Sequence, residues 1–204
     1  MRFIALAGAA IATPLLPSTA FAHHPLGGLP METLTHGLLS GIGHPLLGFD
    51  HLFFVLLVSV AALYTGYRKA SPAAYIAAML VGCLAMSMGI GLPAKELVVG
   101  LSLLVLGGLV LSGKAISLIP AMALFAAFGL FHGSAFGDSI VGQEGGIGGQ
   151  VLIGYLIGLG VVQYALAIAA GWFVSRVLQA AQAEAVQARL SGAVVAGVGL
   201  FLTL

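Results

Sequence analysis

The feature that most constrains this chain is a series of apolar runs, each near the length of a bilayer crossing, divided by short turns rich in Gly and Pro. A crossing needs about 20 apolar residues. Candidate spans fall at residues 45–66, 72–92, 96–112, 115–131, 150–174 and 185–204. The third and fourth are short against a hydrocarbon core of about 30 Å, which implies bilayer thinning or partial burial. Hydrophobic residues make up 60% of the 204 and charged residues only 6%, with a mean hydropathy of +1.15. A soluble domain carries about a quarter charged residues, because its surface must meet water. Lipid is therefore the main solvent. The expected fold is all-α, a polytopic membrane bundle of six transmembrane helices. No basic cluster points to nucleic acid, and no GxxxxGK[ST] loop marks an ATPase. Cys83 is the only cysteine, so the chain forms neither an internal disulfide nor a Cys-based zinc site.

Residues 1–22 read as a cleaved signal peptide. Arg2 supplies the charged n-region, residues 3–16 the apolar h-region, and Ala20-Phe21-Ala22 an A-x-A cleavage site. An apolar run of about 14 residues is too short to be a first span. Residues 23–204 then form one transmembrane helical domain whose mature end, His23-His24-Pro25, lies in the periplasm. The loop charges agree: with that end outside, Arg68, Lys69, Lys114, Arg176 and Arg189 face the cytoplasm and only Lys95 does not. The chain is thus expected in the inner (plasma) membrane. Residues 31–43 are expected to form a short helix lying across the outer surface. Gly154 and Gly158 make a GxxxG, and Ala193 with Gly197 a second small-residue pair. Such positions let helix backbones approach in lipid, and packing within the bundle is favoured over a dimer interface. Oligomeric state stays open.

Under this topology every histidine, and every carboxylate except Glu184, lies outside or in the outer leaflet. Ionisable groups at membrane depth are costly and usually face a cavity or a partner. The densest segment runs from His44 to His51. Pro45 suits a first helical position, His44 and His51 lie two turns apart on one helix face, and Asp50 is near enough to ligate or orient an imidazole. Imidazole with carboxylate, and almost no thiol, suits borderline divalent ions such as nickel, cobalt or zinc. His36 lies upstream and His132 beside Gly133. After cleavage, His23 would offer an amine and an imidazole together, against the alternative of a frayed terminus. Asp138 and Glu144 are either supporting ligands or solvated loop residues. Glu96 is either a further support or an interfacial acid at a helix start. Met79, Cys83 and Met86 line one face of the second span, where packing outweighs a sulfur path for metal.

The segment His44-Pro45-Leu46-Leu47-Gly48-Phe49-Asp50-His51, with Phe131-His132-Gly133-Ser134-Ala135-Phe136-Gly137 at the end of the fourth span, resembles the two motifs of the HupE/UreJ family. The resemblance covers essentially the whole mature chain. It implies a secondary permease for nickel or cobalt, often encoded beside nickel hydrogenases, ureases or cobalamin synthesis. By position, His44, Asp50 and His51 match the first motif and His132 the second. Many members carry a second histidine where Phe136 stands here, and the acid that often follows is displaced, with Asp138 or Glu144 as stand-ins.

The function expected is uptake of divalent nickel or cobalt from the periplasmic side, through His23, His36, His44, Asp50, His51 and His132. The metal is cargo, and no prosthetic group and no enzyme activity are expected. The alternatives are a membrane-bound metal-binding accessory protein or a metalloenzyme using the same cluster. No ATP is needed: a divalent ion moving inward across a potential of 100 mV gains about 4.6 kcal/mol. Copper(I), magnesium and calcium are expected to be the poorest substrates, because their preferred ligands are not the ones displayed; zinc, which accepts the same ligands in tetrahedral geometry, is expected to fall between them and nickel or cobalt.

Overall fold

The computed structural model of the protein describes residues 30–141 and 148–204. His23 and Glu144, and the expected signal peptide, lie outside the described residues. Within them the chain is all-helical: α1 (Leu34–Leu47), α2 (Phe49–Leu63), α3 (Ala70–Ser87), α4 (Lys95–Leu111), α5 (Leu118–Val141), α6 (Gly149–Trp172, continued by a π turn at Phe173–Val177) and α7 (Val186–Thr203). By length and composition α3, α5, α6 and α7 can each cross a membrane, and the bent pair α1–α2 makes a fifth candidate. Helix α4, the counterpart of the expected third span, has 17 residues, short of the roughly 20 that a crossing takes.

Three helix pairs, each closed by glycine, build the bundle. In α3 and α5 the backbones run parallel. Gly82 sits against the Leu130 carbonyl, Gly129 against that of Tyr75, and Gly133 against that of Met79. In α4 and α7 they run antiparallel, with Gly107 and Gly192 face to face and Gly199 against Gly100. In α1 and α6 they run parallel: Gly37 and Gly41 meet Val151 and Tyr155, while Gly154 and Gly158 meet Leu34 and Leu38. At each of these positions except Gly100, where it would meet the Thr203 side chain, a Cβ would strike a neighbouring backbone. Small residues are how helices come close where lipid is as apolar as Leu and water drives nothing together. The GxxxG at Gly154 is thus used inside the bundle, as expected. Gly197 faces open space, and Gly192 and Gly199 take the role assigned to the Ala193–Gly197 pair.

Two expectations are corrected. The helix expected over residues 31–43 does not lie across a surface: residues 34–43 are part of α1, which runs alongside α6. Its start is fixed by Thr33, whose Oγ1 accepts the His36 N–H at 3.1 Å, an ordinary N-cap. Pro45 is therefore near the end of α1 rather than at the first position of the next helix. The fourth span also does not stop near residue 131. Helix α5 runs on to Val141, because Gly133 and Gly137 keep packing on α3. His132 and Asp138 are consequently helical, not loop residues.

The two ends of the bundle differ in charge. Arg68 and Lys69 precede α3, Lys114 follows α4, Arg176 ends α6 and Arg189 opens α7. At the other end, Lys95 pairs with Asp138 at 2.5 Å. The one cation expected outside is thus paired with a carboxylate.

Candidate metal centre

The site begins with a break in a helix. Gly48 adopts φ −85° and ψ 98°, an extended conformation that ends α1 and starts α2. The two axes bend by 80°. The chain stays tied across the break: the Gly48 N–H donates to the His44 carbonyl at 2.9 Å, and the Leu52 N–H to the Gly48 carbonyl at 2.9 Å. His44 lies in the last turn of α1, Asp50 and His51 in the first turn of α2. The negative end of one helix dipole and the positive end of another therefore meet at this elbow. A Cβ on Gly48 would stand 3.1 Å from His51 Cδ2 and 3.3 Å from Asp50 Oδ1. Any residue adopts that backbone conformation, and the part of the glycine is to leave room for the two side chains.

Opposite the elbow stands His132 of α5, fully buried. It lies nine residues before the end of α5, about 14 Å at 1.5 Å per residue, so the site is inside the bundle rather than on its face. His51 Nδ1 and His132 Nδ1 are 2.8 Å apart. His132 Nε2 is 2.9 Å from Ser102 Oγ of α4, and Ser102 Oγ is 2.6 Å from the Val99 carbonyl. A serine hydroxyl has one hydrogen. Given to the Val99 carbonyl, it leaves Oγ to accept from His132 Nε2–H. In a neutral ring His132 Nδ1 is then an acceptor, and it takes the hydrogen of His51 Nδ1. The chain of donors ends at His51 Nε2, which keeps its lone pair 3.9 Å from Asp50 Oδ2. Nitrogen and oxygen bound to one first-row divalent ion by bonds of about 2.0–2.1 Å stand about 3.4 Å apart in tetrahedral geometry, so this pair would hold an ion after closing by about half an ångström. Asp50 is held in turn, its Oδ1 accepting the His51 N–H at 2.8 Å.

His44 completes the cluster. Its Nδ1 is 3.0 Å from the Tyr155 hydroxyl of α6, and its ring centroid is 6.3 Å from that of His51. The Phe136 ring flanks both, 5.0 Å from His44 and 4.0 Å from His51. A histidine there would add a nitrogen to the same space; phenylalanine walls it instead. Phe54 stacks on His132 at 4.3 Å from the other side. Among the described residues no group of three or more His, Cys, Asp or Glu side chains is arranged to hold a metal ion as it stands.

The remaining expected residues are elsewhere. His36 is in the first turn of α1, where its Nδ1 accepts the Glu32 N–H at 3.2 Å. It is eight residues from His44, about 12 Å along the helix. Asp138 is engaged by Lys95, and Glu96 is exposed in the first turn of α4. Sequence reading misses Ser102 and Tyr155, which position two of the histidines. Each is one polar residue in an apolar run, and only its placement in a span offers a signal.

An all-helical bundle with several membrane-length helices, one of them broken at a buried cluster of imidazole and carboxylate, defines a polytopic membrane protein with a polar site inside it. The HupE / UreJ protein family matches the chain over residues 11–202. The chain is also 30% identical over 190 residues to "Protein HupE" of Rhizobium leguminosarum bv. viciae, covering 89% of this chain and 95% of that protein. No solved structure matches. The chain belongs to the HupE/UreJ family, membrane proteins generally associated with nickel and cobalt transport and not a family of enzymes.

Proposed function

We propose that the protein is a secondary permease of the inner membrane that takes up nickel or cobalt from the periplasmic side, with the elbow at Gly48 as its ion site. The observation that carries this reading is the broken helix. Half-helix ends in a bundle offer carbonyls and dipoles to an ion, and transporters place substrates at such breaks. Here the break also carries an imidazole nitrogen and a carboxylate 3.9 Å apart. His51 and Asp50 are the first ligands, and His44 joins them from α1. His132 orients His51 through the hydrogen-bond chain to Ser102 and becomes a ligand when that chain opens. Helix α4 serves as a short sixth span, and the end rich in Arg and Lys faces the cytoplasm. His23, after signal cleavage, and His36 deliver the ion to the elbow.

Neutral imidazole with one carboxylate selects nickel and cobalt over calcium and magnesium, which prefer all-oxygen shells. The test is competitive uptake into proteoliposomes loaded with a metal-sensitive dye. Nickel or cobalt should enter, zinc more slowly, and calcium and magnesium hardly at all. Calcium entry at the rate of nickel would show that the histidines do not select. Metal that binds without entering would leave the protein as an accessory or a metalloenzyme.

A further inference from the structure

Beside the elbow, next to His132, a second polar group lies in the bundle, made of residues that no motif marks. Gln163 of α6 has no exposed surface, and neither do Tyr75 and Met79 of α3. The Tyr75 hydroxyl donates to Gln163 Oε1 at 3.2 Å, and Gln163 Nε2 donates to Met79 Sδ at 2.9 Å. A primary amide offers two hydrogens and two acceptor positions, and a thioether is a weak acceptor. Among the described residues, the second N–H and the second carbonyl lone pair of Gln163 have no partner. Burying such a group costs free energy that a leucine of similar volume would avoid. A packing role alone does not explain an amide here.

Its position does. The Tyr75 ring meets the His132 ring edge-on at 5.9 Å, and Phe54 touches both rings, so the amide adjoins the floor of the elbow site. Toward the basic end, one turn further along α6, the Ala167 carbonyl accepts from Ser59 Oγ of α2. Beyond that, Thr65 and Ser71 hydroxyls lie 2.8 Å apart. Polar groups thus succeed one another from His132 to the basic end, and Gln163 is the first after His132.

We infer that Gln163, Tyr75 and Met79 form a second, weak cation station through which a divalent ion passes after it leaves the elbow. This rests on the permease reading and adds a site to it. The three donors, an amide carbonyl, a phenol and a thioether, are all neutral. They replace part of the hydration shell of a passing ion but add no charge to trap it, as release requires. The borderline softness of nickel and cobalt tolerates the sulfur, whereas calcium and magnesium would not use it.

The experiment uses the full chain with nickel as the probe, comparing wild type with Gln163→Leu and Gln163→Glu. Two readouts are taken: nickel bound per chain in detergent, and nickel uptake into proteoliposomes. Gln163→Leu should bind nickel at the elbow with unchanged affinity but take it up about tenfold more slowly, as expected when one ligand that lowers the barrier is removed. Gln163→Glu should hold a second nickel ion per chain and also transport slowly, because a carboxylate at the station traps the cargo. A merely structural amide would not create that second site. Uptake by Gln163→Leu at the wild-type rate, or a Gln163→Glu protein that binds no additional ion, would overturn the station while leaving the permease intact. If Gln163→Leu fails to fold, the stoichiometry of Gln163→Glu decides. A wild-type protein that binds nickel without taking it up would overturn the permease reading and the station together.

Discussion

Glycine serves opposite ends in two neighbouring parts of this bundle. In the seam between α3 and α5, Gly129, Gly133 and Gly137 bring two unbroken helices into close contact, and the seam is tightly packed. At the elbow between α1 and α2, Gly48 interrupts the helix, and the space it leaves is filled by an imidazole and a carboxylate. The first arrangement uses small residues for rigidity. The second uses one to leave room for a site. His132 joins them, since it stands on the rigid seam beside Gly133 and reaches to the elbow through His51. A fixed wall facing an interrupted helix is what a transport site needs, because one side must hold its geometry while the other exchanges ligands.

The comparison predicts that substitutions in the two regions fail differently. The largest effect on function belongs to the elbow: His51→Ala and Asp50→Ala should each lower nickel uptake by at least about 100-fold, more than loss of an outer partner of a ligand costs. The folded fraction in detergent should stay unchanged. Retained uptake in either variant at equal expression would remove that residue from the ion path. The seam shows the converse. Gly133→Ala puts a methyl group onto the Met79 carbonyl, which cannot move without its helix, so stability in graded SDS unfolding should fall by about 3 kcal/mol. A folded Gly133→Ala protein of normal stability would mean that the seam is not rigid.

Smaller effects probe the border. Gly48 has a backbone that any residue adopts, so Gly48→Ala should cost less than about 1 kcal/mol of stability. Its Cβ presses on His51 and Asp50 by a few tenths of an ångström, and nickel affinity measured by calorimetry should drop about tenfold. A large stability loss with unchanged affinity would reverse the roles given to the two glycine sites. Ser102→Ala removes the acceptor that sets the His132 tautomer. It should weaken nickel binding by roughly tenfold at most, with Ser102→Thr restoring it, since threonine keeps the hydroxyl.

The parts legible in the sequence are those written in continuous apolar runs. Helices α6 and α7 fall within a few residues of their expected bounds, because apolar and small residues fill most of their length. A helix over residues 31–43 is legible, but its end is misread because Pro45 is a common helix opener, whereas the break falls three residues later at Gly48. The end of α5 is misread because histidine, serine and aspartate after residue 131 look like a loop, whereas packing of Gly133 and Gly137 on α3 keeps them helical. The elbow residues His44, Asp50 and His51 are legible from their spacing, although the reason it suggests, one shared helix face, does not hold across the break at Gly48. Ser102, Tyr155 and Gln163 are not legible that way. Each is polar and isolated in its run, and its role arises only when another helix is packed against it.

X-ray absorption at the nickel edge, on the metal-loaded protein and on its His51→Ala variant, tests most directly whether the elbow holds the ion. The account predicts a shell of nitrogen and oxygen ligands with the multiple-scattering signature of imidazole, and one imidazole fewer in the variant. An all-oxygen or sulfur-rich shell, or a spectrum unchanged by His51→Ala, would contradict it.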